Sequence, residues 1–152
     1  MSKKKVLFAV ASAGGHLIQL SRLLPAFSDY EVVIISTVDL SDKIQFKEFK
    51  SIIVTDSNFD QKVKLLVTAI QIFWYVISKR PSIIVTTGAA PGLFAIIFGK
   101  LILARSIWID SIANAEELSF AGSIAKKLTA NCYSQWQEVA KKNKIKFLGA
   151  VI

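Results

Sequence analysis

The sequence contains few of the residues that build metal, disulfide and nucleophile sites. It has one histidine and one cysteine among 152 residues, so it cannot form a Cys/His metal site, a Cys/His nucleophile pair or an internal disulfide. The carboxylate pair of a glycoside hydrolase is not recognisable either. We therefore expect no bound metal and neither hydrolase nor metalloenzyme activity, and the lone Cys132 favours a reducing compartment such as the cytoplasm.

The sequence also lacks an uninterrupted apolar run of the about 18 residues that a membrane-spanning helix needs. Two segments, residues 65–77 and 89–104, are very apolar, but Thr68 and Gln71 interrupt the first and Lys100 the second. We predict that both form helices buried against a sheet.

Acidic residues are scarce relative to basic ones, 11 against 19, which gives a net charge of +8. The chain is also 53% hydrophobic, with a mean hydropathy of +0.47. Nucleic-acid binders usually lack such an apolar excess, the basic residues are dispersed, and no recognition motif is present. We therefore expect a membrane surface as a partner and no nucleic acid. The consecutive aromatics Phe73, Trp74 and Tyr75, followed by Lys79 and Arg80, suit a bilayer interface or a protein partner.

The first residues imitate a short secretion signal, because Lys3, Lys4 and Lys5 precede an apolar stretch and then Gly14. The apolar stretch is only about eight residues long, at the lower limit for a signal peptide. We interpret it instead as the buried first strand of the fold.

Short apolar runs alternate with helical patterns along the chain, which is typical of a Rossmann-like, doubly wound, mainly parallel α/β sheet in a single domain, residues 1–152. We predict strands at residues 5–11, 31–37, 51–55, 82–87, 107–111, 130–134 and 145–148. We predict helices at residues 15–27, 60–80, 91–105, 117–128 and 135–143, with a weaker one near 41–48.

The most informative segment is the first loop, residues 12–16, which joins the first strand to an amphipathic helix. Ser12, Gly14 and Gly15 allow backbone amides to approach an anion, and the helix dipole favours negative charge there. A diphosphate is the expected ligand. His16 can bind a phosphate oxygen, act as a catalytic base, or only cap the helix. Neither the dinucleotide fingerprint nor the P-loop motif is present.

Two further loops follow predicted strands. The second loop, residues 86–92, offers Thr87 and Gly88 as ligands, or else it is only a tight turn of small residues. The third loop, residues 110–117, offers Asp110 as a catalytic group.

The third loop also offers Ser111, Asn114 and Glu116 as ligands for sugar hydroxyls. Alternatively, Ser111 or Asn114 caps the next helix, and Glu116 and Glu117 only complement its dipole.

These segments together resemble a known family, the asparagine-linked glycosylation fourteen-like proteins and their bacterial capsule and exopolysaccharide counterparts. The likeness covers almost the whole chain and rests on five short stretches: residues 13–17 (AGGHL), 86–92 (TTGAAPG), 110–113 (DSIA), 134–136 (SQW) and 147–149 (FLG). Asp110 and Asn114 stand where family members usually have glutamate and arginine, which puts a charged role for the third loop in doubt.

The resemblance implies a membrane-associated subunit of a two-chain GT-B glycosyltransferase of polysaccharide biosynthesis. This half would bind a polyprenyl-diphosphate-linked sugar, with His16 or Asp110 as the catalytic base. A heterodimeric partner would bind the UDP-sugar donor, so this chain would carry no cofactor and be inactive alone. The first loop is also similar to the glycine loop of the peptidoglycan lipid II synthase, where an acceptor diphosphate is expected.

The resemblance further implies a peripheral location at the cytoplasmic face of the plasma membrane. Eukaryotic members begin with a spanning anchor, so here surface helices, the partner or the three lysines would provide attachment. Two alternatives remain: a self-sufficient nucleotide- or phosphosugar-binding Rossmann-like enzyme, and a non-catalytic scaffold. The 152 residues also fall short of a two-domain GT-B enzyme, which needs about twice the length of a typical domain.

Overall fold

Strands form where short apolar runs can be buried on both sides. In β1, Leu7 and Ala9 join one core cluster, whereas Phe8 and Val10 join another. This alternation follows from the two-residue repeat of an extended strand, and it means that the sheet is covered on both faces.

The computed structural model describes residues 4–151, so Lys3 of the lysine triplet lies outside the described residues.

Within that range the sheet has six strands, all paired in parallel, in the order β3-β2-β1-β4-β5-β6. The strands are β1 (Val6–Ala11), β2 (Glu31–Ser36), β3 (Lys50–Ile53), β4 (Ile83–Thr86), β5 (Arg105–Ile109) and β6 (Cys132–Tyr133). Leu7 pairs with Val32 of β2 and with Ile83 of β4. The predicted Rossmann-like α/β class is confirmed. The strand order reverses between β1 and β4, and open sheets of this kind bind ligands at such a switch point.

Five α-helices lie on the two faces of the sheet. They are α1 (Gly15–Leu23), α2 (Lys62–Lys79), α3 (Ala89–Leu101), α4 (Phe120–Leu128) and α5 (Gln137–Asn143). Leu17 and Leu20 of α1 pack on one face with Leu7 and Ala9. On the other face, Ile72 of α2 packs with Phe8, while residues of α3 and α4 surround the fully buried Trp108. No helix among residues 4–151 is both long enough and apolar enough to cross a bilayer.

The predicted strand at residues 145–148 is wrong. This segment pairs with β6 only through an isolated bridge between Tyr133 and Lys146, and β6 itself is two residues long. Ile145 packs partly buried against the core, but Leu148 is 84% exposed, so most of this segment is not held by the sheet.

Two predicted helices are shorter or tighter than expected. The first α-helix ends at Leu23 and continues as a 3₁₀ turn over Leu24–Phe27. Pro25 explains the change, because proline has no amide hydrogen for the helical ladder. The weak helix expected near residues 41–48 is a single 3₁₀ turn, Ile44–Phe46, which buries Phe46.

The start of α4 also differs from expectation. It begins at Phe120, and its cap is Ser119, whose hydroxyl accepts a hydrogen bond from the Gly122 amide at 2.8 Å. The alternative in which Ser111 or Asn114 caps this helix is therefore wrong. These two side chains remain available for the third loop itself.

Candidate functional site

The first and second loops meet because β1 and β4 are neighbours and their carboxyl ends lie at the same edge of the sheet. His16 and Thr87 hold them together with two hydrogen bonds: His16 Nδ1 lies 2.7 Å from the Thr87 carbonyl oxygen, and the Thr87 hydroxyl donates to the His16 carbonyl oxygen at 2.6 Å. A carbonyl oxygen can only accept, so we assign the ring proton to Nδ1. In the neutral ring, Nε2 is then free to accept a proton.

Gly88 leaves room for the His16 ring. Its φ of 129° lies in the region that residues with a side chain rarely adopt, and a Cβ atom there would lie 2.7 Å from Cε1 of His16. Glycine is therefore required both by the backbone conformation and by the close approach of the ring. The second loop is therefore a tight turn of small residues, and the same glycine that forms the turn also makes room for the His16 ring.

The first loop presents main-chain amides at the amino end of α1. Gly14, the N-cap residue, has φ 79° and carries no side chain, and the first turn of α1 contains no acidic residue. The first amides of any helix lack an intrahelical acceptor and point outward with the positive end of the dipole. Gly14 and Gly15 are exposed, and Ser12 is half-buried directly after β1. The Ala13 amide donates to the Thr37 hydroxyl at 3.0 Å, which fixes the loop against the end of β2.

A cation lies beside this loop that the sequence did not identify. Gly14 and Lys43 line the same cavity of about 210 Å³, together with Gln45. We call it the Lys43 cavity. The Lys43 ammonium group is the feature of this cavity that favours an anionic ligand, because the Leu17 and Ile18 amides that border it already donate to the Gly14 carbonyl oxygen.

A second cavity, of about 240 Å³, lies where the first and third loops meet. His16, Ser111 and Asn114 contribute its polar lining, and Phe59 and Phe120, whose rings pack edge to face at 5.1 Å, contribute its apolar lining. We call it the His16 cavity. The structure thus brings together three of the predicted site residues with an aromatic pair that the sequence did not identify.

Glu116 does not join them. It is exposed and lines an open depression of about 440 Å³ formed by residues 113–118, which adjoins the His16 cavity at Ala113 and Asn114.

Asp110 lies under the third loop and is only 1% exposed. Its carboxylate accepts hydrogen bonds from the Trp108 indole, the Asn114 amide, and both the backbone amide and the hydroxyl of Ser119. Burial and these four hydrogen bonds leave the carboxylate oxygens shielded from a substrate in the cavity above. This geometry favours a structural role for Asp110 over the predicted catalytic one. It also uses one hydrogen bond of the Asn114 side-chain amide, which donates to the Asp110 carboxylate.

Two buried glutamines complete the third loop. Gln19 of α1 accepts hydrogen bonds from the Ile112 amide at 3.2 Å and from Gln135 at 2.6 Å, and it donates to the Ser111 hydroxyl at 3.4 Å. Gln135 also donates to the Asp110 carbonyl oxygen at 2.9 Å. In the sequence, Gln19 is recognisable only as a polar residue on the apolar side of α1. Gln135 lies in residues 134–136, a stretch that resembles the family, but the sequence does not indicate what its side chain contacts.

The lone thiol takes no part in the site. Burial, and secondarily the negative charge of Asp110, raise the pKa of Cys132 from 9.0 to about 12. The thiol is therefore protonated and poorly nucleophilic at neutral pH. Among residues 4–151, no cluster of histidine, cysteine, aspartate and glutamate is suited to a metal ion.

Comparison with known proteins connects this geometry to a family. The sequence model of the family described as "Oligosaccharide biosynthesis protein Alg14 like" matches residues 35–151. No curated protein matches the chain significantly.

Solved structures share the fold. MurG of Acinetobacter baumannii superposes with a TM-score of 0.67 at 10% identity, covering 86% of this chain and 41% of that one. UDP-GlcNAc 2-epimerase of Methanocaldococcus jannaschii, in complex with UDP-GlcNAc and UDP, gives 0.67 at 16% identity, covering 91% and 42%. A glycosyltransferase of Rickettsia africae gives 0.62 at 16% identity, covering 95% and 41%. The likeness shows that this chain shares its Rossmann-like fold with part of each of those proteins, and it spans less than half of each of those chains.

Proposed function

Because the chain belongs to the Alg14-like family of oligosaccharide biosynthesis proteins, we propose that it is the acceptor-binding subunit of a two-chain, UDP-sugar-dependent glycosyltransferase. The acceptor is a sugar linked to a polyprenyl diphosphate. The donor binds to a second polypeptide, which together with this chain forms a heterodimer at the cytoplasmic face of the plasma membrane. The products belong to polysaccharide biosynthesis of the capsule or exopolysaccharide type.

One observation carries this proposal: the first, second and third loops converge on His16 at the switch point of the sheet. The ring is fixed by the Thr87 carbonyl oxygen, and the His16 cavity also contains Ser111 and Asn114. A hydroxyl and a side-chain amide suit sugar hydroxyls, and an oriented imidazole suits proton transfer.

The diphosphate of the acceptor is assigned to the other side of the same loop. Here Gly14, the N-cap residue of α1, lines the Lys43 cavity, and Gly15 follows it at the start of the helix. The ammonium group of Lys43 and the helix-end amides would share the phosphate oxygens. The two cavities flank the first loop, so a diphosphate and its attached sugar can lie on both sides of His16.

In the proposed reaction the acceptor hydroxyl attacks the anomeric carbon of the donor sugar, and the bond from that carbon to UDP breaks. Nε2 of His16 takes the hydroxyl proton, and UDP leaves with the bonding electron pair. Thr87 keeps the imidazole in the tautomer that can accept, and Asp110 positions the third loop without exchanging a proton. Correct placement of the hydroxyl is the main contribution of this chain.

The support for a donor-binding partner is the family. Residues 4–151 provide one Rossmann-like sheet, which matches part of the glycosyltransferase chains that it resembles. We assign the donor half to a partner, for which a short UDP-sugar-binding protein encoded beside this one is the first candidate.

The proposal is tested by measuring UDP release from UDP-hexoses and UDP-N-acetylhexosamines with a synthetic polyprenyl-diphosphate sugar as acceptor. We expect turnover only when both proteins are present. Full turnover by the isolated chain would contradict the division of labour and favour the self-sufficient enzyme. That alternative has some support, because a 2-epimerase that binds UDP-GlcNAc has the same fold. Normal activity of the complex after all three loops are neutralised would select the scaffold alternative.

A further inference from the structure

The helix α2 exposes an apolar row that no other described part of the chain covers. Val63, Leu66, Ile70, Trp74 and Ile77 repeat at intervals of three or four residues and are all exposed, Trp74 at 68% and Leu66 at 61%. We call this row the outer face of α2. The opposite side of the helix is also apolar and packs on the sheet through Ile72 and Val76. A helix that is apolar on both sides, with one side open, is atypical of a surface helix in water.

Charge around the outer face has a single sign. No aspartate or glutamate occurs between Asp60 and Asp110. The charged residues in the segment that contains α2, β4, α3 and β5 are therefore all cationic. These cations are Lys62, Lys64, Lys79, Arg80, Lys100 and Arg105, and all are exposed. Lysines flank the amino end of α2, and Lys79 and Arg80 flank its carboxyl end. The apolar row is therefore framed by positive charge at both ends.

The end of α3 extends the apolar surface. The rings of Phe73 and Phe98 pack edge to face at 5.2 Å, which shows that α2 and α3 are side by side. Both helices return antiparallel to the strands, so their carboxyl ends lie at the same edge of the molecule. There Leu101 is 67% exposed and Leu103 is 90% exposed, with Lys100 next to them. Leu103 has a φ of 59°, a strained conformation that presents a leucine to solvent.

We propose that the outer face of α2 lies in the boundary between headgroups and acyl chains of an anionic phospholipid bilayer. Apolar side chains along a helix, an exposed tryptophan and flanking cations are the features of a helix that lies in the plane of a membrane. Charge complementarity fits anionic lipid, because cations attract anionic headgroups, and residues 61–109 contain no acidic residue to oppose it. An acidic protein partner in place of lipid is an outcome that the test below detects. This inference rests on the proposed function, in which the acceptor is anchored in the same bilayer.

The orientation brings the site to the membrane. The amino end of α2 lies at the carboxyl edge of the sheet, and Phe59, three residues before Lys62, lines the His16 cavity. An 18-residue helix is about 27 Å long, so a helix lying flat would set that cavity beside the headgroup layer. The polyprenyl chain of an acceptor bound there can enter the bilayer along the Phe59 and Phe120 rings.

The test is sedimentation of the purified chain with vesicles of phosphatidylglycerol and phosphatidylcholine, compared with phosphatidylcholine alone. We expect binding to the anionic vesicles that weakens with salt. The double variant Ile70→Ser/Trp74→Ser should lose at least about tenfold in vesicle affinity, since burial of apolar area drives insertion. The matched control Ile44→Ser/Leu148→Ser removes two exposed apolar side chains elsewhere and should bind like the wild type.

Tryptophan fluorescence gives an independent reading. Trp108 is buried and Trp136 is 40% exposed, so the conservative variant Trp74→Phe isolates the contribution of Trp74. We expect a blue shift and quenching by brominated lipid in the wild type, and loss of both with retained binding in Trp74→Phe. Unchanged vesicle binding of the double variant, or loss of partner binding in place of vesicle binding, would overturn the inference.

A soluble acceptor with a short lipid chain separates this inference from the proposed function. With such an acceptor and the partner protein, the double variant should keep the wild-type rate, and it should lose rate only with long-chain acceptor in vesicles. A loss with both acceptors would contradict membrane docking by α2. Wild-type protein that binds vesicles but transfers no sugar to either acceptor would contradict the proposed function alone.

Discussion

The loops at the carboxyl edge of the sheet are built in two different ways. The first and second loops use glycine and main-chain groups, and they leave Gly14, Gly15 and one edge of His16 open to a ligand. The third loop turns Asp110 inward, where its carbonyl oxygen accepts a hydrogen bond from Gln135, which also donates to Gln19, while Ser111 and Asn114 line the His16 cavity. Loops that follow buried strands at the same edge of the sheet therefore differ, because one leaves its main chain exposed and the other is held by buried side chains. Substitution of Asp110 should lower stability, and substitutions in the first loop should lower binding or rate.

Asp110→Ala is the change with the largest expected effect. It leaves the Trp108 indole and the Ser119 amide without their acceptor, and each buried donor left unsatisfied costs about 1–3 kcal/mol. We expect the free energy of unfolding in urea to fall by this amount. Asp110→Asn, which keeps two acceptor lone pairs, should lose less unfolding free energy. If both variants are as stable as the wild type, Asp110 does not support the third loop and the difference between the loops is not real.

His16→Gln should affect rate more than stability. It removes the proposed base, and general-base catalysis contributes about 10²–10⁴-fold, whereas the lost contact with Thr87 is worth only about 1 kcal/mol. The measurement is kcat of the complex, with the thermal midpoint as control. A fall in kcat without a fall in acceptor affinity would identify His16 as the base. A fall in affinity alone would leave it as a phosphate ligand.

Lys43→Gln sharpens the comparison on the binding side. The ammonium group lines the cavity next to Gly14, and a charge-assisted contact with phosphate is worth about 1.5–3 kcal/mol. We expect acceptor affinity to fall about tenfold with kcat unchanged. Lys47→Gln, a nearby exposed lysine that does not line the cavity, serves as the matched control, and equal losses in both variants would reduce the effect to general charge.

The last prediction concerns the pH dependence of stability and Cys132, which lies outside the site. The folded-state pKa of Cys132 is raised from 9.0 to about 12, so the folded protein keeps the thiol proton where the unfolded chain releases it. Stability should therefore decrease as the pH rises above about 9, because deprotonation favours the unfolded state. The unfolding free energies of wild type and Cys132→Ala, followed across that window, should converge. A constant difference would mean that the thiol ionises equally in both states.

The sequence predicts the sheet well because its strands are continuous apolar runs, such as Val6–Ala11, that have no alternative site of burial. It fails where burial is decided by distant partners. Residues 145–148 look like a strand, but only Lys146 finds a place beside β6. The apolar pattern of α1 continues to Phe27, but Pro25 ends the α-helix at Leu23.

The site shows the same limit. Glycines and a histidine after the first strand identify the first loop, because their chemistry is local. The contact of His16 with Thr87 joins residues 71 positions apart, and that of Gln19 with Gln135 joins residues 116 apart. Such pairs depend on the strand order and on side-chain packing, so neither glutamine, nor the position of Lys43, follows from a local pattern.

The most direct test is equilibrium binding of the isolated chain to two ligands, a short-chain polyprenyl-diphosphate sugar and the UDP-sugar donor, measured by calorimetry. The account predicts saturable binding of the diphosphate-linked sugar, weakened by Lys43→Gln, and no detectable binding of the UDP-sugar. Binding of the UDP-sugar by this chain alone, with no affinity for the acceptor, would contradict it.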